Sequence, residues 1–143
     1  MYRLRPATPD DYDSLYTLFV RSMKEHVAAT WGWDEALQRE HFKSHFDPDK
    51  IQIIVVDKRD VGMLSTVSRP HEIFLASIQI LPEFQRRGFG TRIIQKLLEQ
   101  GRRHNLPVTL QVLKVNRARE LYERLGFIST GQTETHVLMK SAD

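Results

Sequence analysis

Residues 80–92, ILPEFQRRGFGTR, join a strand pattern to a helix pattern through a glycine-rich turn. Gly88 and Gly90 lack Cβ, so the backbone there can turn tightly and approach a ligand closely. The first N–H groups of the helix that follows have no intrahelical partner and carry the positive end of its dipole. Together they make an anion site suited to a pyrophosphate, and Arg86 and Arg87 add charge and forked donors beside it. The bland alternative is a tight connection with solvated arginines. Two other glycine motifs do not fit: no Lys-Ser/Thr follows, as a P-loop needs, and no third glycine completes a dinucleotide fingerprint.

The elements around this turn can be read from pattern. Residues 2–5 alternate as a first strand. Thr8-Pro9-Asp10-Asp11 starts a helix, with a Thr N-cap, Pro at the first position and an acid at the third. Tyr12, Leu15, Tyr16, Phe19 and Met23 give that helix one apolar face. Residues 26–33, HVAATWGW, are less regular. Asp34 caps a second helix with Leu37, Phe42 and Phe46 as its stripe, and Asp47-Pro48-Asp49 ends it. IQIIVV (51–56), a turn at 57–60 and VGMLSTV (61–67) make a hairpin. IFLASIQIL (73–81) is expected as the longest strand. After the glycine turn a helix runs from about 88 to 104, with Ile93, Ile94, Leu97, Leu98 and Gly101 on one face. Strand 108–113 follows. Ala118, Leu121, Tyr122 and Leu125 then line a helix that stops at Gly126. The tail supplies one or two strands. Antiparallel hairpin strands followed by strand–helix–strand imply a mixed sheet, in an α/β (α+β) domain spanning 1–143.

Composition sets the outer bounds. The chain has 143 residues, 41% apolar and 27% charged, as an ordinary globular domain does. It has no cysteine, which excludes a disulfide framework, a Cys-ligated metal and an acyl-cysteine intermediate. The N-terminus lacks the apolar run of a signal peptide, and no apolar stretch is long enough to span a membrane, so the cytoplasm is the expected location. Net charge is +3, and Arg86, Arg87, Arg92, Arg102 and Arg103 fall within 18 residues. That suits an anionic ligand. Nucleic acid is not expected, because aromatic interleaving and a recognisable module are missing. The chain contains six histidines. Phe42 follows His41 where a zinc-protease helix carries Glu, so no metal is expected.

Q85-R86-R87-G88-F89-G90 resembles the Q/R-x-x-G-x-G/A motif of the GCN5-related N-acetyltransferase (GNAT) superfamily. I78-Q79-I80-L81-P82 is similar to that family's cofactor-binding strand, and N116-R117-A118-R119-E120-L121-Y122 through G126-F127 to its second hallmark. The order of elements also matches, so the resemblance covers nearly the whole chain. It implies a mostly antiparallel central sheet of six to seven strands with helices on both faces. Acetyl-CoA is the implied co-substrate, an amine of a small molecule or peptide the implied acceptor, and dimers are common in the family. A non-catalytic holder of acyl-CoA is the alternative.

Carried over by position, Ile78, Gln79 and Ile80 would run along pantetheine. Gln85, Arg86, Arg87, Gly88, Phe89, Gly90 and Thr91 would cradle the pyrophosphate. Asn116 would touch the cofactor arm, although Asn is also a favoured N-cap. Tyr122 is the implied general acid, although periodicity alone places it on an apolar helix face. Glu25, Trp31 and Trp33 lie where the family binds its acceptor, and two tryptophans with acids can hold a cationic amine. The base is unassigned. Gln111 stands where some relatives carry Glu and cannot take a proton, which leaves Glu72, His71 or water.

Overall fold

The computed structural model describes residues 1–142. Among the described residues the strands are β1 (Tyr2–Pro6), β2 (Gln52–Val56), β3 (Arg59–Arg69), β4 (Glu72–Ile80), β5 (Val108–Leu113), β6 (Phe127–Gln132) and β7 (His136–Ser141), interspersed with four α-helices. These are α1 (Tyr12–Trp31), α2 (Glu35–His45), α3 (Phe89–Arg103) and α4 (Ala118–Arg124). The strands hydrogen-bond in the order β1-β2-β3-β4-β5-β7-β6. β4 and β5 are parallel, whereas β1–β2, β2–β3, β5–β7 and β6–β7 are antiparallel. This is the mixed, mostly antiparallel sheet expected, with the tail supplying two strands. The chain forms two compact units, one of Met1–Ser65 with Ser77–Arg87, the other of Thr66–Ala76 with the chain from Gly88 onward.

In the first unit Ala7, Leu15, Leu18, Ile53, Val55 and Met63 form a buried cluster. Phe42 of α2 and Phe46 just past its end pack against it. Their rings meet Tyr12 edge-on at 5.5 and 5.1 Å, a favourable aromatic geometry. Leu37, expected on the same stripe, is instead 62% exposed, so the apolar attachment here comes from Phe42 and Phe46. α1 also differs from expectation. It continues through the irregular stretch to Trp31 and ends at Gly32, whose φ is +83°. Ala28 and Ala29 are strong helix formers, and nothing between Tyr12 and Gly32 breaks the ladder.

β3, with 11 residues, is longer than β4 with 9, reversing the expected order. Its polar ends (Arg59, Asp60, Ser68, Arg69) are strand without being apolar, and apolar content alone cannot find them. The hairpin before it turns on only two residues, Asp57 and Lys58, both at positive φ (50° and 66°). That pair matches the twist of the flanking strands. A register shift then leaves Val61 as an extra residue opposite Ile54 and Val55. Its carbonyl accepts from Leu81 N–H at 2.8 Å. Gly62 comes next, and a Cβ there would collide with the Gln79 carbonyl. An isolated glycine in a strand has this use, letting two backbones approach closely.

The first turn of the chain is fixed electrostatically. The Asp11 carboxylate accepts from Thr8 N–H at 2.8 Å and from both Arg5 guanidinium nitrogens at 2.9 and 3.0 Å. Arg5 also reaches Asp60 at 2.7 Å, tying β1 to β3. The Arg5 hydrogen bonds, helped by Thr8, hold the Asp11 carboxyl down at about 2 against the opposing effect of burial.

The second unit is built on α3, which buries Phe89, Ile93, Ile94, Leu97, Leu98 and Gly101. This is the face read from spacing, with Phe89 added. β4 pairs with β5 through Ile73–Leu75 against Val108–Leu110. Ser141, a buried polar residue, accepts from Val108 N–H at 2.8 Å, which satisfies both groups. α4 ends at Gly126, with φ +97°, as expected.

The Arg5–Asp11 pair and the close approach at Gly62 can each be tested by one substitution. A lowered carboxyl pKa contributes stability that is complete above about pH 4 and disappears as pH falls towards 2. Asp11→Asn should therefore lose about 1–2 kcal/mol in urea unfolding at pH 7 and show a flatter pH dependence from 4 to 2 than the parent. Equal slopes for the two proteins would contradict the stabilising role of the pair. Gly62→Ala should cost about 2–3 kcal/mol by overpacking against a backbone carbonyl, and an unchanged melting temperature would show that β3 can yield there.

Candidate functional site

The glycine turn is a left-handed entry into α3. Arg86 has φ +63° and Gly88 has φ +86°, both in the region that costs an L-residue energy. A Cβ on Gly88 would come no nearer than 3.8 Å to its closest neighbours, the Arg92 guanidinium, so conformation rather than crowding selects glycine. The first helical hydrogen bond runs from Arg92 N–H to the Gly88 carbonyl at 3.0 Å. The amides of Phe89, Gly90 and Thr91 therefore precede the ladder and are available to an anion. Phe89 is buried and anchors this end of the helix, and the Arg92 guanidinium lies 5.7 Å over its ring.

In the first unit the segment leading to this turn is braced at several points. Ile78, Gln79 and Ile80 are half-buried in the last part of β4. Gln79 donates to Ser77 Oγ at 3.1 Å. Gln85 donates its side-chain amide to the Ile80 carbonyl at 2.8 Å, closing the bend after the strand. Phe84 is buried with two guanidinium groups near its ring, Arg59 at 5.0 Å and Arg87 at 4.8 Å. Arg21 of α1 grips Glu83 with two bonds, 2.7 and 3.1 Å, and this pairing lowers the Glu83 carboxyl pKa. Sequence reading missed Gly62, Phe84 and the Arg21–Glu83 pair. A glycine interrupting a strand pattern was the one available signal, since the other two depend on contacts between distant segments.

Asn116 and Tyr122 belong to the second unit. Asn116 Oδ1 accepts from Ala118 N–H at 2.9 Å, which starts α4. Its side-chain NH2 still carries donors for a ligand. Tyr122 is 6% exposed and meets Phe127 edge-on at 5.7 Å. Burial pushes its phenol up to about 12. Such a group keeps its proton across the whole neutral range and is a weak acid but a ready hydrogen-bond donor. Of the base candidates, Glu72 accepts from Arg69 at 2.6 Å, and the Arg69 guanidinium also lies 4.5 Å over the Phe74 ring. His71 is exposed in the turn before β4. Gln111 is exposed in β5, opposite Leu138.

The three acceptor candidates are separated in role. Trp33 packs 6.0 Å from Phe19, donates its indole N–H to Glu35 at 2.9 Å and has Lys24 at 5.3 Å from its ring centroid. Tyr16 donates to the same Glu35 carboxylate at 3.4 Å, and Arg39 lies 4.7 Å over the Tyr16 ring. Trp33 therefore helps fasten α2 to α1. Trp31 is 58% exposed on the last turn of α1. Glu25 is also exposed, and six residues before Trp31 it points about 120° away around the helix axis. The same unit has a pocket of about 280 Å³ whose lining includes Ser14, Leu18, Arg21, Asp60, Gly62 and Leu81, and none of the three candidates. Among the described residues no group of three or more His, Asp or Glu side chains could hold a metal ion. Among them, too, no helix is long and apolar enough to cross a membrane.

Comparison with known proteins gives these features a family. No curated protein matches the chain in sequence. Solved structures share its fold at low identity. A PaiA N-acetyltransferase from Thermoplasma acidophilum, in complex with coenzyme A, is 13% identical over 100% of this chain and 99% of that one, with a TM-score of 0.81. PH1933 from Pyrococcus horikoshii OT3 is 17% identical over 100% and 99%, with a TM-score of 0.76. The ribosomal-protein-S18-alanine N-acetyltransferase of Escherichia coli is 20% identical over 99% and 93%, with a TM-score of 0.68. The sequence model described as Acetyltransferase (GNAT) family matches residues 12–127, taking in the glycine turn, Asn116 and Tyr122. With most of its length matched, the chain belongs to the GNAT acetyltransferase family.

Proposed function

We propose that the protein transfers an acetyl group from acetyl-CoA to a primary amine of a small molecule or peptide, by direct attack within a ternary complex. The observation that carries this reading is the left-handed Gly88 followed by the unladdered amides of Phe89, Gly90 and Thr91, within the motif Gln85–Gly90. Those amides, with Arg86 and Arg87, take the diphosphate. Ile78, Gln79 and Ile80 carry the pantetheine arm, and Asn116 contributes through its NH2 group. Glu25 and Trp31, both at the surface, attract the cationic amine, with Trp33 supporting them through the α1–α2 packing. The chain acts as one acyltransferase domain in the cytoplasm, and a homodimer is compatible with the family.

In the transfer step the neutral amine nitrogen bonds to the thioester carbon, and the carbonyl becomes an oxyanion. Its collapse breaks the C–S bond, and the nitrogen's extra proton leaves to water. An alkylamine with pKa ~10.4 is mostly protonated at pH 7, so exposing its neutral form costs roughly 4.6 kcal/mol. Glu72 is held in its pair with Arg69, which favours a water chain as the route for this proton.

Tyr122 then faces the departing sulfur. An ordinary phenol would give its proton to a thiolate of pKa about 8.5 at a cost of roughly 2 kcal/mol, whereas at about 12 the cost is roughly 5. Full transfer is therefore disfavoured. A hydrogen bond that strengthens as charge develops on sulfur remains useful, and the buried surroundings make it stronger.

Release of free thiol from acetyl-CoA across a panel of amines tests the activity. Turnover with at least one amine is expected. CoA binding without turnover for any amine would favour a non-catalytic holder instead. Tyr122→Phe should lower kcat about 10- to 100-fold while changing CoA affinity less than about threefold. Because the phenol stays protonated well above pH 10, Tyr122 should add no alkaline fall in kcat between pH 7 and 10. A limb in that range that vanished in Tyr122→Phe would contradict a phenol that acts only as a hydrogen-bond donor.

A further inference from the structure

We infer that Arg59, the first residue of β3, joins Arg87 in binding the 3′-phosphate of CoA, the monoester that the cofactor carries beside its diphosphate. The inference rests on the acyltransferase reading and adds to it a residue from outside the glycine motif. The two side chains meet on Phe84, which is buried in the short turn after β4. The Arg59 guanidinium lies 5.0 Å from the centroid of that ring and the Arg87 guanidinium 4.8 Å, so the two cations are within about 10 Å of each other. Both residues are exposed.

Two like charges brought together repel, and a carboxylate between them would relieve the repulsion. Here the nearby acids are engaged elsewhere. Glu83 is held by Arg21 through both oxygens, at 2.7 and 3.1 Å. The Arg21 bond holds the Glu83 carboxyl below its ordinary pKa, and the charge of Arg59 adds to that effect from farther away. Asp60, next to Arg59 in the chain, accepts from Arg5 at 2.7 Å. Among the described residues neither the Arg59 nor the Arg87 guanidinium has a hydrogen bond or an ion pair.

Contact with a ring face leaves the N–H donors at the edge of a guanidinium unspent. Two such forks suit a phosphate monoester, whose charge approaches −2 and whose three terminal oxygens accept paired donors. CoA carries this group on the same ribose that bears its diphosphate. Arg87, which precedes Gly88 and stands with the diphosphate donors, can therefore serve both groups. Arg59 comes from another strand and is the residue that distinguishes the monoester.

Calorimetric titration of the full chain with CoA and with 3′-dephospho-CoA, beside Arg59→Gln and Arg59→Lys, tests the assignment. The parent should bind CoA about 10-fold more tightly than 3′-dephospho-CoA. Arg59→Gln should lose about 5- to 10-fold for CoA and less than about twofold for 3′-dephospho-CoA, with an unchanged melting temperature. Arg59→Lys should recover only part of the CoA loss, because the charge returns without the fork. CoA affinity unchanged in Arg59→Gln would overturn the inference and leave the acyltransferase reading standing. Equal losses for the two ligands would also overturn it, since Arg59 would then act through its packing on Phe84. No binding of either ligand by the parent at millimolar concentration would remove the acyltransferase reading together with the inference.

Discussion

The reversal of backbone handedness at Gly88 is the constraint on which the functional reading depends. A residue at φ +86° lets the chain enter α3 abruptly, and the amides of the first helical turn are left outside the ladder. The helix can present them reliably because one of its faces is apolar throughout: Phe89, Ile93, Ile94, Leu97 and Leu98 are all buried, so the start of α3 cannot fray without exposing core. An anion site made of main-chain donors needs this kind of support, since its affinity depends on position more than on charge.

The segment before the turn is held by contacts of a different kind. Gly62 allows β3 to approach the Gln79 carbonyl, Val61 offers its carbonyl to Leu81, and Gln85 folds back onto Ile80. Each acts on the main chain of residues 79–81, where an extended arm of a cofactor would need regular donors and acceptors. Arg21 and Glu83, with Phe84 against Arg59 and Arg87, fix the short turn after it. Side chains in this region thus mostly serve to place backbone, which is why so few of them look catalytic by type.

Much of the fold was legible because its periodicities are strong. The face of α3, the bounds of β5 and the stop at Gly126 follow directly from apolar spacing and a C-terminal glycine. The misses have physical causes. The far half of α1 lacks a regular apolar stripe, although Ala28 and Ala29 are good helix formers. The ends of β3 are polar and acquire strand structure from their neighbours. Leu37 looks like core and is exposed, because Phe42 and Phe46 supply the apolar contact here. For the site, the turn and its glycines were visible as chemistry, whereas the roles of Asn116 and Tyr122 came from resemblance alone. Periodicity put Tyr122 on a buried face, and the structure agrees, with the consequence that burial raises its phenol pKa. Trp33 was read by type and family position. In the structure its indole donates to Glu35, and its ring lies near Lys24 and Phe19.

The diphosphate site is tested most directly by comparing CoA with pantetheine, the same thiol arm without the nucleotide diphosphate, in calorimetric titrations of the purified protein. If the amides at the start of α3 hold the diphosphate, CoA should bind at least about 100-fold more tightly, a difference of roughly 2.7 kcal/mol. Equal affinity for the two compounds, or no binding of CoA at millimolar concentration, would contradict it.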